Sequence, residues 1–179
     1  MKWKWWPAAL LGACLLMGGP ATADGPSDAG TAFEAAKRGD YARAARYYTR
    51  ALWSGELSSA EMAAAHYNRA LVYLNLADYP KAIEDYSQAI EISPDYAAAY
   101  YNRAVTYAAS GDYPAALADY TNAIWLGYSD SHKAFFNRGT IYEGRGDFER
   151  AVADFKEAYT LAPEEPRIRD KAETLGLER

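Results

Sequence analysis

Tyr101-Asn102-Arg103-Ala104, Ser110-Gly111-Asp112-Tyr113 and Ala118-Asp119-Tyr120-Thr121-Asn122-Ala123 follow one another within residues 100–124. One unit earlier the chain reads Tyr67-Asn68-Arg69-Ala70, then Asp78-Tyr79, then Asp85-Tyr86 and Ala89. One unit later it reads Phe136-Asn137-Arg138-Gly139, then Gly146-Asp147-Phe148, then Asp154-Phe155 and Ala158. Asn68 to Asn102 is a step of 34 residues and Asn102 to Asn137 a step of 35. Self-similarity at such a period marks a stacked-repeat protein, in which each unit buries its apolar face only against its neighbours.

Working outward, each unit divides into two helical stretches around a turn. Ser58-Ser59-Ala60-Glu61 reads as a capping box starting a helix that runs to about Leu76. Tyr79 to Ile92 is its partner, with Pro80 tolerated in the first turn, and Ser93-Pro94-Asp95 resets the chain with Ser93 as cap and Pro94 as first helical residue. The third pair spans about Asp95 to Ala109 and Tyr113 to Leu126, closed by Gly127, and the fourth Ser131 to Gly144 and Phe148 to Leu161, closed by Pro163. Gly39-Asp40, Gly111-Asp112 and Gly146-Asp147 are the turns inside the pairs, glycine supplying positive φ and aspartate capping the next helix. Thr31 to Lys37 and Tyr41 to Trp53 form a degenerate first pair. The last stretch, Glu165 to Leu177, places Ile168, Ala172 and Leu175 at helical spacing, as a helix covering the end of an array would.

The expected organisation is therefore residues 24–30 as linker, capped by Ser27 or Asp28, then repeats at 31–58, 59–96, 97–130 and 131–164, and a capping helix at 165–179. The fold class is all-α, an α-solenoid of about four helix-turn-helix repeats plus that helix. Residues 1–23 stand apart. Lys2 and Lys4, the apolar run Pro7 to Met17 and the small residues Ala21-Thr22-Ala23 have the layout of an export signal, with the mature chain starting at Asp24. The expected location is therefore exported and periplasmic. Leu11-Gly12-Ala13-Cys14 offers a rival, a lipid anchor on Cys14, against which stand the early cysteine and the apolar residues after it.

Composition narrows the function. The 179 residues carry a formal charge of −5, and 17 basic against 24 acidic residues remain after the leader, with no basic stripe for nucleic acid or anionic membrane. Cys14 is the only cysteine, and His66 and His132, the only histidines, do not share a repeat column. Neither a metal site nor a cofactor is indicated, and no nucleophile elbow, phosphate loop or dinucleotide fingerprint is present. The expectation is a protein that is not an enzyme.

Small residues recur at Ala70, Ala104 and Gly139 on first helices, and at Ala82, Ala116 and Ala151 and again Ala89, Ala123 and Ala158 on second helices; Tyr73, Tyr107 and Tyr142 are expected to fill the wedge between pairs. Over about Gly25 to Glu165 this pattern resembles the tetratricopeptide repeat, with Pro94 and Pro163 at its terminal proline and Tyr128 in that place between them. The resemblance implies a right-handed superhelix whose concave face takes an extended peptide. It also implies a clamp for the carboxylate of chaperone tails in some members. Asn102 and Lys133 fall in the clamp's columns, but Tyr67, Leu71 and Asn137 stand where it needs Lys, Asn and a basic residue, so that version is not expected.

Arg69, Arg103 and Arg138 are each followed 16 residues later by Asp85, Asp119 and Asp154, and the first repeat lacks both at once, with Thr31 and Tyr47 in those columns. Joint presence and joint absence point to structural Arg–Asp pairs between the two helices of a unit. Asn68, Asn102 and Asn137 lie about 100° further round the helix. With Tyr67, Tyr101, Phe136 and Lys133 they are the candidate peptide-binding residues, on a face spanning about 20 Å or about six extended residues. The expected partner is an extended segment of another protein, held by an adaptor or scaffold in the bacterial cell envelope. The alternative is a self-associating module or a lipid-anchored envelope assembly factor. Trp53 and Trp125, near the ends of second helices, are expected to pack between repeats.

Overall fold

A computed structural model describes residues 25–177, which form nine helices and no strand. The helices are α1 Gly25–Lys37, α2 Tyr41–Trp53, α3 Ser59–Asn75, α4 Tyr79–Ile92, α5 Ala97–Ser110, α6 Tyr113–Trp125, α7 Ser131–Gly144, α8 Phe148–Leu161 and α9 Pro166–Leu175. This is the α-solenoid class, and it divides into two compact units, α1–α4 up to Pro94 and α5–α9 from Asp95. The leader and its two processing alternatives lie outside the described residues.

In the first unit α1 packs on α2, α2 on α3 and α3 on α4. Its core joins Ala32, Ala35, Ala36, Ala44, Tyr48, Ala51, Leu57, Ala65 and Val72. Alanine dominates because helices separated by methyl groups approach closely, and bulk then comes from one large residue per second helix. In the second unit α5 packs on α6, α6 on α7, α7 on α8 and α8 on α9. Fully buried Tyr48, Tyr86, Tyr120 and Phe155 occupy the same column of α2, α4, α6 and α8. These rings, and not Tyr73, Tyr107 and Tyr142, fill the interior. The latter stay half-buried beneath cations, with Lys81 over Tyr73 at 5.3 Å, Arg103 over Tyr107 at 5.9 Å and Arg150 over Tyr142 at 4.5 Å.

The turn aspartates have two tasks. The Asp40, Asp112 and Asp147 N–H groups bond back to the carbonyls of Ala35, Tyr107 and Tyr142, closing the first helix of each pair. Their carboxylates accept from the N–H groups of Arg43, Ala115 and Arg150, all at 3.2 Å, opening the second. Gly39, Gly111 and Gly146 before them have φ of 77°, 89° and 77°. Ala77 holds the same place before Asp78 with φ 56°, a backbone region that costs a residue with a Cβ about 1 kcal/mol. Ser58 and Glu61 form the capping box, and the Ser58 hydrogen bonds hold the Glu61 carboxyl below its usual range.

Two boundaries differ from the expectation. Residues 25–30 belong to α1 instead of a linker, so Ser27 and Asp28 lie inside the helix and cap nothing. Tertiary contacts override the Gly/Pro composition: the Gly25 N–H donates to Glu56 Oε2 at 2.7 Å, and Arg50 Nε reaches Asp28 Oδ2 at 3.2 Å. Gly25 is buried there, and an added Cβ would collide with Ser54. Ser93 is the C-cap of α4, its N–H bonded to Ala89, and α5 starts only at Ala97. Pro94 and Asp95 lie in a turn, and beyond it the Ala97 N–H donates to the Asp95 carbonyl at 2.8 Å, around Tyr96.

Candidate binding face

The ionisable residues of the repeat motif are engaged in holding it together. Arg69 donates to Asp85 through Nε at 2.7 Å and Nη2 at 2.8 Å. Arg103 meets Asp119 at 2.6 and 2.9 Å, and Arg138 meets Asp154 at 2.9 and 2.7 Å, through the same two nitrogens. Each pair joins the two helices of one repeat, with the carboxylate buried and the guanidinium about one-sixth exposed, at 16 or 17%. Burial works against the charges of Arg69 and Arg103, but the carboxylate hydrogen bonds outweigh it and keep both firmly protonated. For Arg138 the bond to Asp154 is the leading cause. Burial likewise pushes the Asp85 carboxyl up, and the bonds from Arg69 and His66 more than reverse this, leaving it below its usual range. His66 Nδ1 lies 2.8 Å from Asp85 Oδ1.

The free corner of the guanidinium carries a link that repeat spacing alone does not suggest. Arg69 Nη1 donates to Thr49 Oγ1 at 2.8 Å and Arg138 Nη1 to Thr121 Oγ1 at 2.9 Å. Each threonine follows the buried tyrosine of the preceding second helix, Tyr48 or Tyr120, so the signal present in the chain is the Tyr-Thr pair at both places. One arginine thus ties its own two helices and the helix before them.

The candidate ligand residues separate into three environments. In the first unit Tyr67 and Asn68 are half-buried on α3. The Tyr67 ring tilts on Tyr86 with centroids 5.8 Å apart, and the Asn68 side chain makes no hydrogen bond with another described residue. In the second unit Tyr101 and Asn102 are 3% and 5% exposed. Tyr101 tilts on Tyr120 and stacks on Tyr128 with centroids 4.6 Å apart and ring planes at 18°. Asn102 Nδ2 turns back to the Ala98 carbonyl at 2.9 Å. Neither presents a surface to a ligand, which corrects their assignment to a binding row. Tyr128, which stands where the flanking repeats have proline, lays its ring over Tyr101 and covers it.

On α7, Lys133, Phe136 and Asn137 are partly exposed. Lys133 pairs with Asp130 at 2.7 Å, Asn137 donates to the Tyr101 hydroxyl at 3.2 Å, and Phe136 tilts on Phe155 at 5.4 Å. The exposed side of Phe136 meets Arg167 of α9, whose guanidinium lies 5.0 Å from the ring centroid. Helical spacing marks α9 only as a cap and gives no sign of this role for Arg167. Lys171, one turn on, binds Glu143 of α7 at 2.8 Å.

Trp53 and Trp125 do not pack between repeats: they are 85% and 83% exposed. Each is the last residue of its helix. Among the described residues no three His, Cys, Asp or Glu side chains gather as a metal site, and no helix is long and apolar enough to cross a membrane.

Comparison with known proteins accords with this geometry. No curated protein matches the chain. The solved structure of MamA superposes with a TM-score of 0.72 at 22% identity, covering 80% of this chain and 81% of that one. MamA from Desulfovibrio magneticus RS-1, residues 41 to the end, gives 0.73 at 18%, covering 82% and 80%. YrrB, described as a TPR protein with an unusual peptide-binding site, gives 0.72 at 17%, covering 83% and 74%. At these identities the likeness is one of fold. Tetratricopeptide repeat models match residues 30–57, 63–96 and 101–166, so the chain belongs to the tetratricopeptide repeat family.

Proposed function

We propose that this protein is a non-catalytic interaction scaffold, which holds extended segments of another protein against first helices of its repeats, α3 in the first unit and α7 in the second. The observation that carries the reading is the division of labour within the repeat motif. The arginines and aspartates are consumed by bidentate pairs, whereas Phe136 and Lys133 on α7 and Tyr67 and Asn68 on α3 keep accessible ring and polar surface. Rings give large contact area at low entropic cost, and amides can bond to a peptide backbone in either sense. A repeat family whose members serve many partners fits this role without naming the partner. The leader pattern at residues 1–23 supports an exported protein working in the bacterial cell envelope.

In-cell crosslinking followed by pull-down tests the reading, with wild type compared against Tyr67→Ala/Phe136→Ala. Tyr101 is excluded because its replacement would hollow the interior. The folded double variant is expected to lose partners that wild type captures. Retention of every partner, with an unchanged melting temperature, would overturn the scaffold reading. Mass spectrometry of the mature N-terminus, expected at Asp24 in the periplasmic fraction, tests export.

A second reading rests on the two exposed tryptophans: self-association through the ends of α2 and α6. Sedimentation separates the two. A concentration-dependent dimer abolished by Trp53→Ser/Trp125→Ser supports self-association, and a monomer with saturable peptide binding supports the scaffold.

A further inference from the structure

We infer that α9 completes a ligand-binding face in the second unit, and that Arg167 and Lys133 together select an extended peptide segment bearing two carboxylates about three residues apart. This deepens the scaffold reading and rests on it.

Lys133 and Asn137 are four residues apart on α7, hence on one face, and Asn137 reaches back to Tyr101 on α5. Arg167 and Lys171 are four apart on α9, and they reach back to Phe136 and Glu143 on α7. A step of 34 residues carries Lys133 to Arg167 and Asn137 to Lys171. Arg167 thus stands one repeat step beyond Lys133 in sequence, and both cations of α9 contact α7.

The charges are available for a ligand to different degrees. Lys171 is committed to Glu143, with both carboxylate oxygens within 2.9 Å. Among the described residues Lys133 is held only by Asp130 three residues away, and both side chains are about one-third exposed, at 34 and 38%. Such a solvent-screened pair is weak and exchanges readily for another carboxylate. Arg167 is exposed and has no carboxylate within ion-pair distance among the described residues. Its guanidinium is held over Phe136, and a stacked guanidinium keeps its in-plane N–H fork free for a planar acid. The Arg167 guanidinium lies 5.0 Å from the centre of the Phe136 ring, and Phe136 is one helical turn from Lys133, about 5–6 Å away between Cβ atoms, which sets the two cations on the order of 10 Å apart. An extended chain advances about 3.3 Å per residue, so acids at positions i and i+3 match the two cations.

A displayed library of random twelve-residue peptides, selected against the full mature chain, tests this. The expected outcome is binders enriched in Asp or Glu at i and i+3. Arg167→Gln and Lys133→Gln should each weaken the best synthetic binder about tenfold, with added salt weakening wild-type binding in the same direction. Arg167→Lys should recover only part of the loss, because an ammonium lacks the planar fork. The glutamine variants keep part of the methylene stem and a similar helix propensity and should keep the melting temperature, which separates lost recognition from lost packing. Binders without acidic enrichment, or acidic binders indifferent to Arg167→Gln, would overturn this inference and leave the scaffold reading standing. A library yielding no binder at all would overturn both.

Discussion

At the scale of single residues, the motif Asn-Arg-small divides its work. The arginine is a three-way fastener: Arg138 grips Asp154 with two nitrogens and Thr121 with the third. Removing one partner of a buried pair strands the other charge, which costs about 3–5 kcal/mol. Arg138→Ala and Asp154→Ala should therefore each destabilise by several kcal/mol in denaturant unfolding. The double variant should cost less than their sum, because no lone charge is left behind. Thr121→Val should cost about 1 kcal/mol, the worth of one hydrogen bond. The pairing is legible in the bare sequence, since Arg and Asp appear and vanish together at a spacing of 16. The threonine arm is not, because it crosses from one repeat to the next. Asp85 adds a pH dependence whose sign follows from its depressed pKa. Its stabilising contribution is complete above the unfolded value of about 3.8 and is lost as pH falls through the lower folded value. The stability gap between wild type and Asp85→Asn should thus be constant near neutrality and close below about pH 4. A gap that closed between pH 5 and 7 instead would refute the assignment.

At the scale of helices and turns, repetition makes the elements readable, and departures from repetition mark where the pattern misleads. The turn rule, glycine at positive φ followed by a capping aspartate, holds in three pairs, and Ala77 breaks it while keeping the same conformation. Ala77→Gly should therefore stabilise the protein by about 0.5–1 kcal/mol, the relief of a left-handed Cβ less the added freedom of glycine when unfolded. Thermal unfolding checks it, with Gly111→Ala as the mirror experiment that should lose a similar amount. Tyr128 is the other informative departure. Comparing the repeats shows only that a tyrosine replaces a proline; it does not reveal that the ring stacks on Tyr101 and withdraws it from the surface. A substitution in a turn changes the exposure of a residue in a helix 27 positions earlier, a tertiary effect that periodicity does not encode. The start of α1 is hidden for a related reason. Gly25 and Pro26 signal a linker by composition, and only the contacts to Glu56 and Arg50 make that stretch helical.

At the scale of the whole molecule, an array of repeats has no single central core, so its ends must be closed by something that differs from a repeat. Helix α9 closes the second unit with little apolar material, burying chiefly Ile168 and Ala172, and adds the polar contacts of Lys171 and Arg167. Capping and recognition thus draw on different faces of one ten-residue helix. Removing residues 164–179 should expose the surface of α8 that Ile168 and Ala172 cover, together with Phe136 and Phe155. Because repeat stability is a sum of local and nearest-neighbour terms, the loss should concentrate in α7 and α8 and fade with distance from the cut. Hydrogen exchange resolved by segment is the measurement: α7 and α8 should exchange markedly faster in the truncated chain, while α1 and α2 keep wild-type protection. A double variant, Ile168→Ala/Ala172→Ser, should reproduce the loss of protection in part without deleting Arg167. Uniform loss of protection across all eight remaining helices would mean that the chain unfolds as one block, and the nearest-neighbour account of its stability would fail.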